Sequence, residues 1–416
     1  MRPSPLSFFI LILFLLWVEY YAFQAMRLLI KDKSQTTNKS IRIAYFIQAL
    51  LSLGLLIYAR FVQTGTVEFM FVLTFVFMSY LSKALAIVFV FIDDIRRVLK
   101  LFFTGRKKRY EKRVAKGQKM PRSKFLARSA VMMATLPVVT MSFGIVRGAY
   151  DYRIRRKRVY LPNLPKAFHG VKIAQLSDIH SGSFYDKVAV QGGIEMLNNE
   201  KPDMVLFTGD LVNNQTNELK DYIDLFTRVK ADLGVYSTLG NHDYGDYRGW
   251  SSPEAKRQNL ADMVKSHERM GWDLLLNENR TIKVGTDQIS VIGVENWGAG
   301  RFAKYGRLND AALHAEGDVK LLLSHDPSHW DEQVRKMQPD IDITFSGHTH
   351  GMQLGVEIGD FRWSPSQWVY KQWADLYQQG SQYLYVNRGF GFLGFPGRIG
   401  ILPEITILEL SGRPLS

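Results

Sequence analysis

Five short apolar runs in the second half of this 416-residue chain each end in residue types that bind metal ions: VKIAQLSDIH from Val171, PDMVLFTGDLV from Pro202, GVYSTLGNHD from Gly234, VKLLLSHDP from Val319 and DITFSGHTHG from Asp342. The side chains gathered at those ends are Asp178, His180, Asp210, Asn241, His242, His325, His348 and His350. They offer oxygen and imidazole nitrogen and no sulfur, a set that suits hard or borderline divalent cations. A carboxylate standing between two subsites can bridge them. Two ions held about 3.5–4 Å apart can clamp a phosphate and hold a hydroxide for in-line attack. The uncatalysed barrier to phosphoester cleavage is very high, which is why such a clamp is needed.

Residues so far apart in the chain work together only if regular elements converge on one place. Runs of four to six β-branched and apolar residues read as strands, and helical stretches such as 217–230 lie between them. In open α/β sheets the crevice beyond the carboxyl ends of the strands is where ligands sit, so five such endings can share one site.

The order DIH, GDLV, GNHD, a histidine after an apolar strand, and GHTH resembles the five motifs of the calcineurin-like metallophosphoesterases, over roughly residues 159–416. The series carries the resemblance, since each motif alone is a weak signal. It implies an α/β fold, a four-layer αββα sandwich of two mixed sheets, holding two divalent ions (Mn²⁺, with Fe or Zn²⁺ as alternatives). It further implies that Asp178, His180 and His350 bind one ion, that Asn241, His325 and His348 bind the other, and that Asp210 bridges them. By the same resemblance His242 sits at the leaving-group oxygen as a general acid or transition-state stabiliser rather than as a ligand. Asp243, its neighbour, is then placed to orient the His242 ring. The implied reaction is hydrolysis of a phosphate ester by a metal-bridging hydroxide, without a phosphoenzyme.

Other residues divide between functional and plain readings. His329 stands where a helix begins and reads as a capping or surface residue, while His169, His267 and His314 read as solvated. The segment YLYVNRGFGFLGFPGR ends a strand in Asn387, Arg388, Gly389 and Gly391. A glycine loop admits a ligand close to backbone, and an arginine can fork onto phosphate, so Arg388 and Gly389 are candidate substrate contacts. A tight turn with a surface arginine is the alternative. Trp363, Trp368, Tyr370, Trp373 and Tyr377 form either an apolar rim for a lipid substrate or part of a core.

The first third is different in kind. Four apolar stretches occupy 6–28, 43–58, 69–92 and 125–146. The first, third and fourth reach the roughly 20 residues that a membrane span needs, and the second is marginal. They are apolar all round, unlike the striped helices of a soluble core. The first runs on without a small-residue cleavage site, unlike a signal peptide. The chain therefore divides into 1–150, a membrane region with about four transmembrane helices, and 151–416, the catalytic domain.

The formal net charge of +14 concentrates in RKKRYEKR from Arg106 and RIRRKR from Arg153. Both flank the last apolar segment, where basic residues orient a span, so no specific nucleic acid is expected as a partner. Lys31, Lys33, Lys39 and Arg42 mark the first loop, and Arg96, Arg97, Lys100 and the run after them mark the third. Only Arg60 lies between. The alternation in, out, in delivers the catalytic domain to the outer or periplasmic face of the plasma (inner) membrane, while RIRRKR pulls toward the cytoplasm. PRSKFLARSA from Pro121 resembles a twin-arginine export signal with one arginine present. Glu19 and Lys83 lie thirteen and fourteen residues into their segments, and lone charges in lipid are costly, so either the two pair between helices or each borders a water-filled crevice or snorkels.

There are no cysteines, which excludes disulfides, thiolate ligands and a cysteine nucleophile. Anchoring favours a lipid-linked or envelope-derived phosphate ester. The competing functions are a hydrolase of UDP-2,3-diacylglucosamine, a non-catalytic metal-binding membrane sensor, and a transporter with an accessory domain. A sensor is expected to have lost a ligand, and here every position is filled.

Overall fold

The computed structural model describes residues 4–30, 33–62, 66–103 and 122–413. The basic run at 106–113, Lys31 and Pro121 lie outside them. The described chain divides into two compact units between Phe143 and Gly144.

The first unit is built from α1 (Pro5–Ile30), α2 (Gln35–Tyr58), α3 (Val67–Phe103) and most of α4 (Arg122–Val146). All four are long and apolar enough to cross a membrane. The second apolar stretch, short by hydropathy, lies in a helix of 24 residues. Ser34 caps that helix by accepting from the Thr37 N–H at 3.2 Å, so the polar turn before Ile41 is helical too. Pro137 sits inside α4, as membrane helices tolerate, and Thr140 Oγ1 donates to the Leu136 carbonyl at 2.8 Å in the same stretch. Lys83 Nζ donates to Glu19 Oε1 at 2.5 Å, both side chains buried, so each charge has its counter-ion.

The second unit holds two six-stranded sheets. The strands are β1 (Arg153–Tyr160), β2 (Lys172–Leu176), β3 (Met204–Phe207), β4 (Val235–Ser237), β5 (Asp273–Leu274), β6 (Glu278–Val284), β7 (Asp287–Gly293), β8 (Lys320–Leu323), β9 (Ile343–Ser346), β10 (Val356–Ile358), β11 (Phe361–Trp363), β12 (Asp375–Gln379), β13 (Gln382–Val386) and β14 (Glu404–Ser411). The first sheet runs β1-β14-β2-β3-β4-β5 and the second β12-β13-β9-β8-β7-β6, with β10 and β11 a separate ribbon. Both are mixed: β14 opposes β2, and β6 and β12 oppose their neighbours, among otherwise parallel pairs.

Alternation along each strand sorts the side chains between two faces. Ile173, Met204, Leu206 and Leu408 of the first sheet meet Ile289, Val291, Leu321, Leu323, Ile343 and Phe345 of the second, forming the layer between the sheets. Their sequence neighbours point outward under helices. Phe207 meets His267 of α6 (Pro253–Met270), and Ile292 and Leu322 pack with Trp330 and Val334. Another helix, α5 (Lys187–Asn199), buries Val190, Ile194 and Leu197. Strands covered on both faces read as short continuous apolar runs, which is what the sequence shows. The parallel β2, β3 and β4 end beside one another, as do β8, β9 and β13. The carboxyl ends of those strands carry the residues of the candidate site.

Candidate metal centre

Two groups of side chains offer converging donor atoms: Asp178, His180 and His350, and Asp210, His325 and His348, with ligand atoms in each group within 4.8 Å of one another. Within the first, His180 Nε2 lies 3.0 Å from His350 Nε2, and His350 Nε2 lies 3.2 Å from Asp178 Oδ1. Within the second, His325 Nε2 is 3.1 Å from Asp210 Oδ2 and 3.2 Å from His348 Nδ1. Asp210 Oδ2 is also 3.6 Å from His180 Nε2, so this carboxylate touches both groups.

The turns after the strands aim these side chains by unusual backbone. Asp178, His180, Asp210, His348 and His350 all have φ between 49° and 69°. Left-handed backbone is costly for a residue with a β-carbon and persists where surroundings enforce it, most often at functional sites. Asp178 is held by the His348 N–H, 2.9 and 3.0 Å from its two oxygens. Gly389 packs directly behind, with φ +87°; a β-carbon there would come within 2.9 Å of His350 Nδ1 and 3.0 Å of Asp178 Cβ.

Charge shows what such a cluster demands. Burial alone would raise the Asp178 and Asp210 carboxyls, yet His350 beside one and His325 beside the other hold both below the usual carboxylate range. Burial would equally lower His325, but Asp210 pushes it up to about 10. Buried His180 is held well below its ordinary value, chiefly by desolvation. Two buried carboxylates thus rely on positive charge in their midst, and a divalent cation supplies that charge without a proton. Asn241 Oδ1 is buried without a hydrogen-bond partner while its Nδ2 donates to Tyr247 at 2.8 Å, which leaves the oxygen free as a ligand atom. His325 donates from Nδ1 to the Thr208 carbonyl at 2.7 Å, which leaves the Nε2 lone pair facing the cluster. The donor set and its second partners fit a pair of metal ions.

His242 stands at the edge of the cluster, its ring 5.0 Å from that of His180. Its Nδ1 is 2.6 Å from the Asn213 carbonyl, which turns Nε2 the other way. Asp243 does not orient this ring. Its carboxylate accepts from the backbone N–H groups of Asp210, Leu211 and Gly240 at 2.8, 2.8 and 2.9 Å, because consecutive side chains on the turn point apart.

Several expectations are corrected. Arg388 is fully buried rather than open to a ligand: Nη1 binds Glu404 at 2.7 Å and Nη2 binds Glu357 at 2.7 Å. His329 is buried beside Ser324, and His267 is buried with its Nδ1 2.9 Å from Ser237 Oγ, while His169 and His314 are exposed. The aromatic group divides. Trp373 packs in a small core with Ala374 and Ile401, Trp368 is exposed, and the Tyr370 hydroxyl meets His348 Nε2 at 2.8 Å. Arg398, behind His350 at 3.1 Å, and Asn213 escaped sequence reasoning. Asn213 directly follows the GDLV motif, three residues after Asp210, which is the signal that could have found it. Arg398 had none.

Comparison with known proteins agrees in both halves. Residues 2–149 match the family described as "Probable Calcineurin-like phosphoesterase, transmembrane domain", and residues 171–352 match "Calcineurin-like phosphoesterase". The chain is 29% identical over 295 residues to a transmembrane protein with metallophosphoesterase domain from Danio rerio, covering 68% of this chain and 63% of that one. It is 28% identical over 250 residues to the uncharacterized metallophosphoesterase YkuE of Bacillus subtilis, covering 59% and 81%. To an uncharacterized metallophosphoesterase of Campylobacter jejuni it is 30% identical over 266 residues, covering 61% and 62%. The matched region thus spans under two thirds of the Danio rerio and Campylobacter jejuni relatives.

Proposed function

We propose that this chain, a membrane protein that belongs to the calcineurin-like phosphoesterases, is a metal-dependent hydrolase of phosphate esters with a dinuclear centre. The observation that carries this reading is the convergence of Asp178, His180 and His350 with Asp210, His325 and His348, the Asp210 carboxylate lying within reach of both groups. In it, Asp178, His180 and His350 hold one ion, Asn241, His325 and His348 the other, and Asp210 bridges. Such a pair of ions, Mn²⁺ foremost, supplies Lewis acidity, an activated water and a clamp on the transferred phosphoryl group. The protein's own part is to fix the donors and to place a proton. Asn213 holds His242 so that Nε2 can give a proton to the departing oxygen. Tyr370 and the Thr208 carbonyl fix the rings of His348 and His325.

The substrate we favour is a phosphate ester borne on a lipid or envelope molecule, presented where the membrane region holds the enzyme. The distribution of Lys and Arg among the loops supports an outer-face domain. Because the chain has no cysteine, one placed at Met337 and challenged with a membrane-impermeant maleimide in intact cells tests this. Labelling only after the membrane is opened would put the domain inside.

The test of the reaction is turnover of bis-p-nitrophenyl phosphate and p-nitrophenyl phosphate by detergent-purified protein, with and without Mn²⁺. Metal-dependent turnover is expected, falling by about 10³ or more in Asp210→Ala and about 10²–10⁴ in His242→Ala. Two bound ions with no turnover of any ester, lipid-borne ones included, would favour the sensor.

A further inference from the structure

The β10–β11 ribbon is built the wrong way round for water. Val356 pairs with Trp363 and Ile358 with Phe361. The residue facing inward between them is charged: Glu357 accepts from Arg388 Nε and Nη2 at 3.0 and 2.7 Å, and from Arg155. The residues facing outward are apolar, with Leu354 43%, Val356 41%, Ile358 72% and Phe361 62% exposed. The turn that follows adds Trp368 and Val369, 73% and 65% exposed. A contiguous apolar surface of this kind marks a binding face, and three ion pairs, from Glu357 to Arg155 and Arg388 and from Arg362 to Asp375, hold it in that orientation.

The position of the ribbon says what covers it. At its base Gly355 N donates to the Ile399 carbonyl at 2.8 Å, and Ile399 N to the Gln353 carbonyl at 2.7 Å. The same segment receives the end of α4: Arg398 N donates to the Gly144 carbonyl at 3.1 Å, and the Tyr185 hydroxyl sits 3.0 Å from the Ile145 carbonyl and 3.2 Å from that of Pro396. The fourth candidate span runs over Arg128–Tyr150, so residues 396–399 are tied to the last turns of that span. An apolar ribbon tied to that segment meets lipid before it meets a protein. An exposed tryptophan, Trp368, and Arg147, the first residue after α4, are the residue types that settle at the headgroup layer.

We propose that the β10–β11 ribbon, with Trp368 and Val369, dips into the interface of the bilayer that α4 crosses. The ribbon begins just after His350, and Tyr370, next to Val369, touches His348. The lipid-facing surface therefore leads to the metal centre, and a phosphoester on a lipid headgroup could enter without leaving the membrane. This last step rests on the phosphoesterase reading; the docking itself does not.

Single cysteines at Ile358, Trp368 and, as control, Met337 in the full chain would carry an environment-sensitive fluorophore. Met337 is 46% exposed and precedes the start of β9, the end away from His348. The labelled protein is reconstituted in phosphatidylethanolamine and phosphatidylglycerol vesicles containing nitroxide lipids. Lipid quenching of about twofold or more is expected at 358 and 368 and none at 337. Quenching at all three alike, or at none, overturns the proposal. Shielding of 358 and 368 from aqueous iodide without lipid quenching overturns it too, in favour of a protein partner or second copy. In parallel, a triple Ile358→Ser, Phe361→Ser, Trp368→Ser variant is expected to keep its turnover of soluble ester and to lose about tenfold on the same ester carried by a lipid. Lipid quenching in a protein that hydrolyses no ester would sink the phosphoesterase reading and leave the interfacial ribbon standing.

Discussion

Asp243 shows how one side chain can matter to a site it does not enter. It is buried completely, and its carboxyl is pushed up to about 7, by burial first and by the charge of Asp210 second. Its acceptors tie the turn at Asp210 to the turn at Gly240, so removing them leaves several buried N–H groups unpaired at roughly 1–3 kcal/mol each. Asp243→Ala is therefore expected to lower the melting temperature and the bound-metal stoichiometry together, measured by dichroism and elemental analysis. A variant that kept its metal and stability but lost turnover would restore a role for Asp243 at the His242 ring. His267 gives a second prediction. Burial holds it down to about 3, so the folded protein keeps it neutral while the unfolded chain protonates it below about 6.5. Stability is then lost as pH falls from about 6.5 toward 3, by roughly 2 kcal/mol on reaching pH 5. His267→Phe should flatten the acid dependence of the urea midpoint between pH 7 and pH 5, and an unchanged dependence would refute this.

At the scale of elements, the site is a set of turns rather than a set of strands. The strands supply direction, but the left-handed backbone at Asp178, His180, Asp210, His348 and His350 supplies aim. The loop after β13 backs this arrangement. A β-carbon at Gly391 would fall 1.9 Å from the Ile179 carbonyl, in the middle of the Asp178–His180 turn. Gly391→Ala should push that turn aside, reduce bound metal from two ions toward one, and cut hydrolysis by about 10², the scale on which small misplacements act. Full metal content with full turnover would show that the turn tolerates the shift.

At the scale of the molecule, the membrane region carries its own polar core. The Lys83–Glu19 contact lies among buried side chains, and the Tyr45 hydroxyl donates to the Glu19 carbonyl at 2.8 Å. Removing one partner of such a pair costs about 3–5 kcal/mol, because the other is left uncompensated. Glu19→Gln and Lys83→Met should each destabilise the protein in detergent, and the double variant should cost clearly less than the sum. Strict additivity would mean that the two charges act separately.

Much of this was written in the chain itself. Apolar runs of strand length ending in Asp, Asn and His identify the five turns, and all-round apolar segments identify four helices, because both signals are local in sequence. What faces what was decided only by the fold. His242 and Asp243 are neighbours in the chain, yet one reaches the cluster and the other the backbone behind it. Arg388 looked like a phosphate ligand until Glu357 and Glu404, 31 residues before it and 16 after, were found on its guanidinium. His267 and His329 sit among charged residues in sequence and turn inward in space. Side-chain direction depends on backbone dihedrals and on partners brought from distant segments, and neither is encoded in the spacing of one motif. The same reason explains why the aromatic stretch 363–377 stayed ambiguous: the fold sends Trp373 to a core, Tyr370 to His348 and Trp368 to the outside.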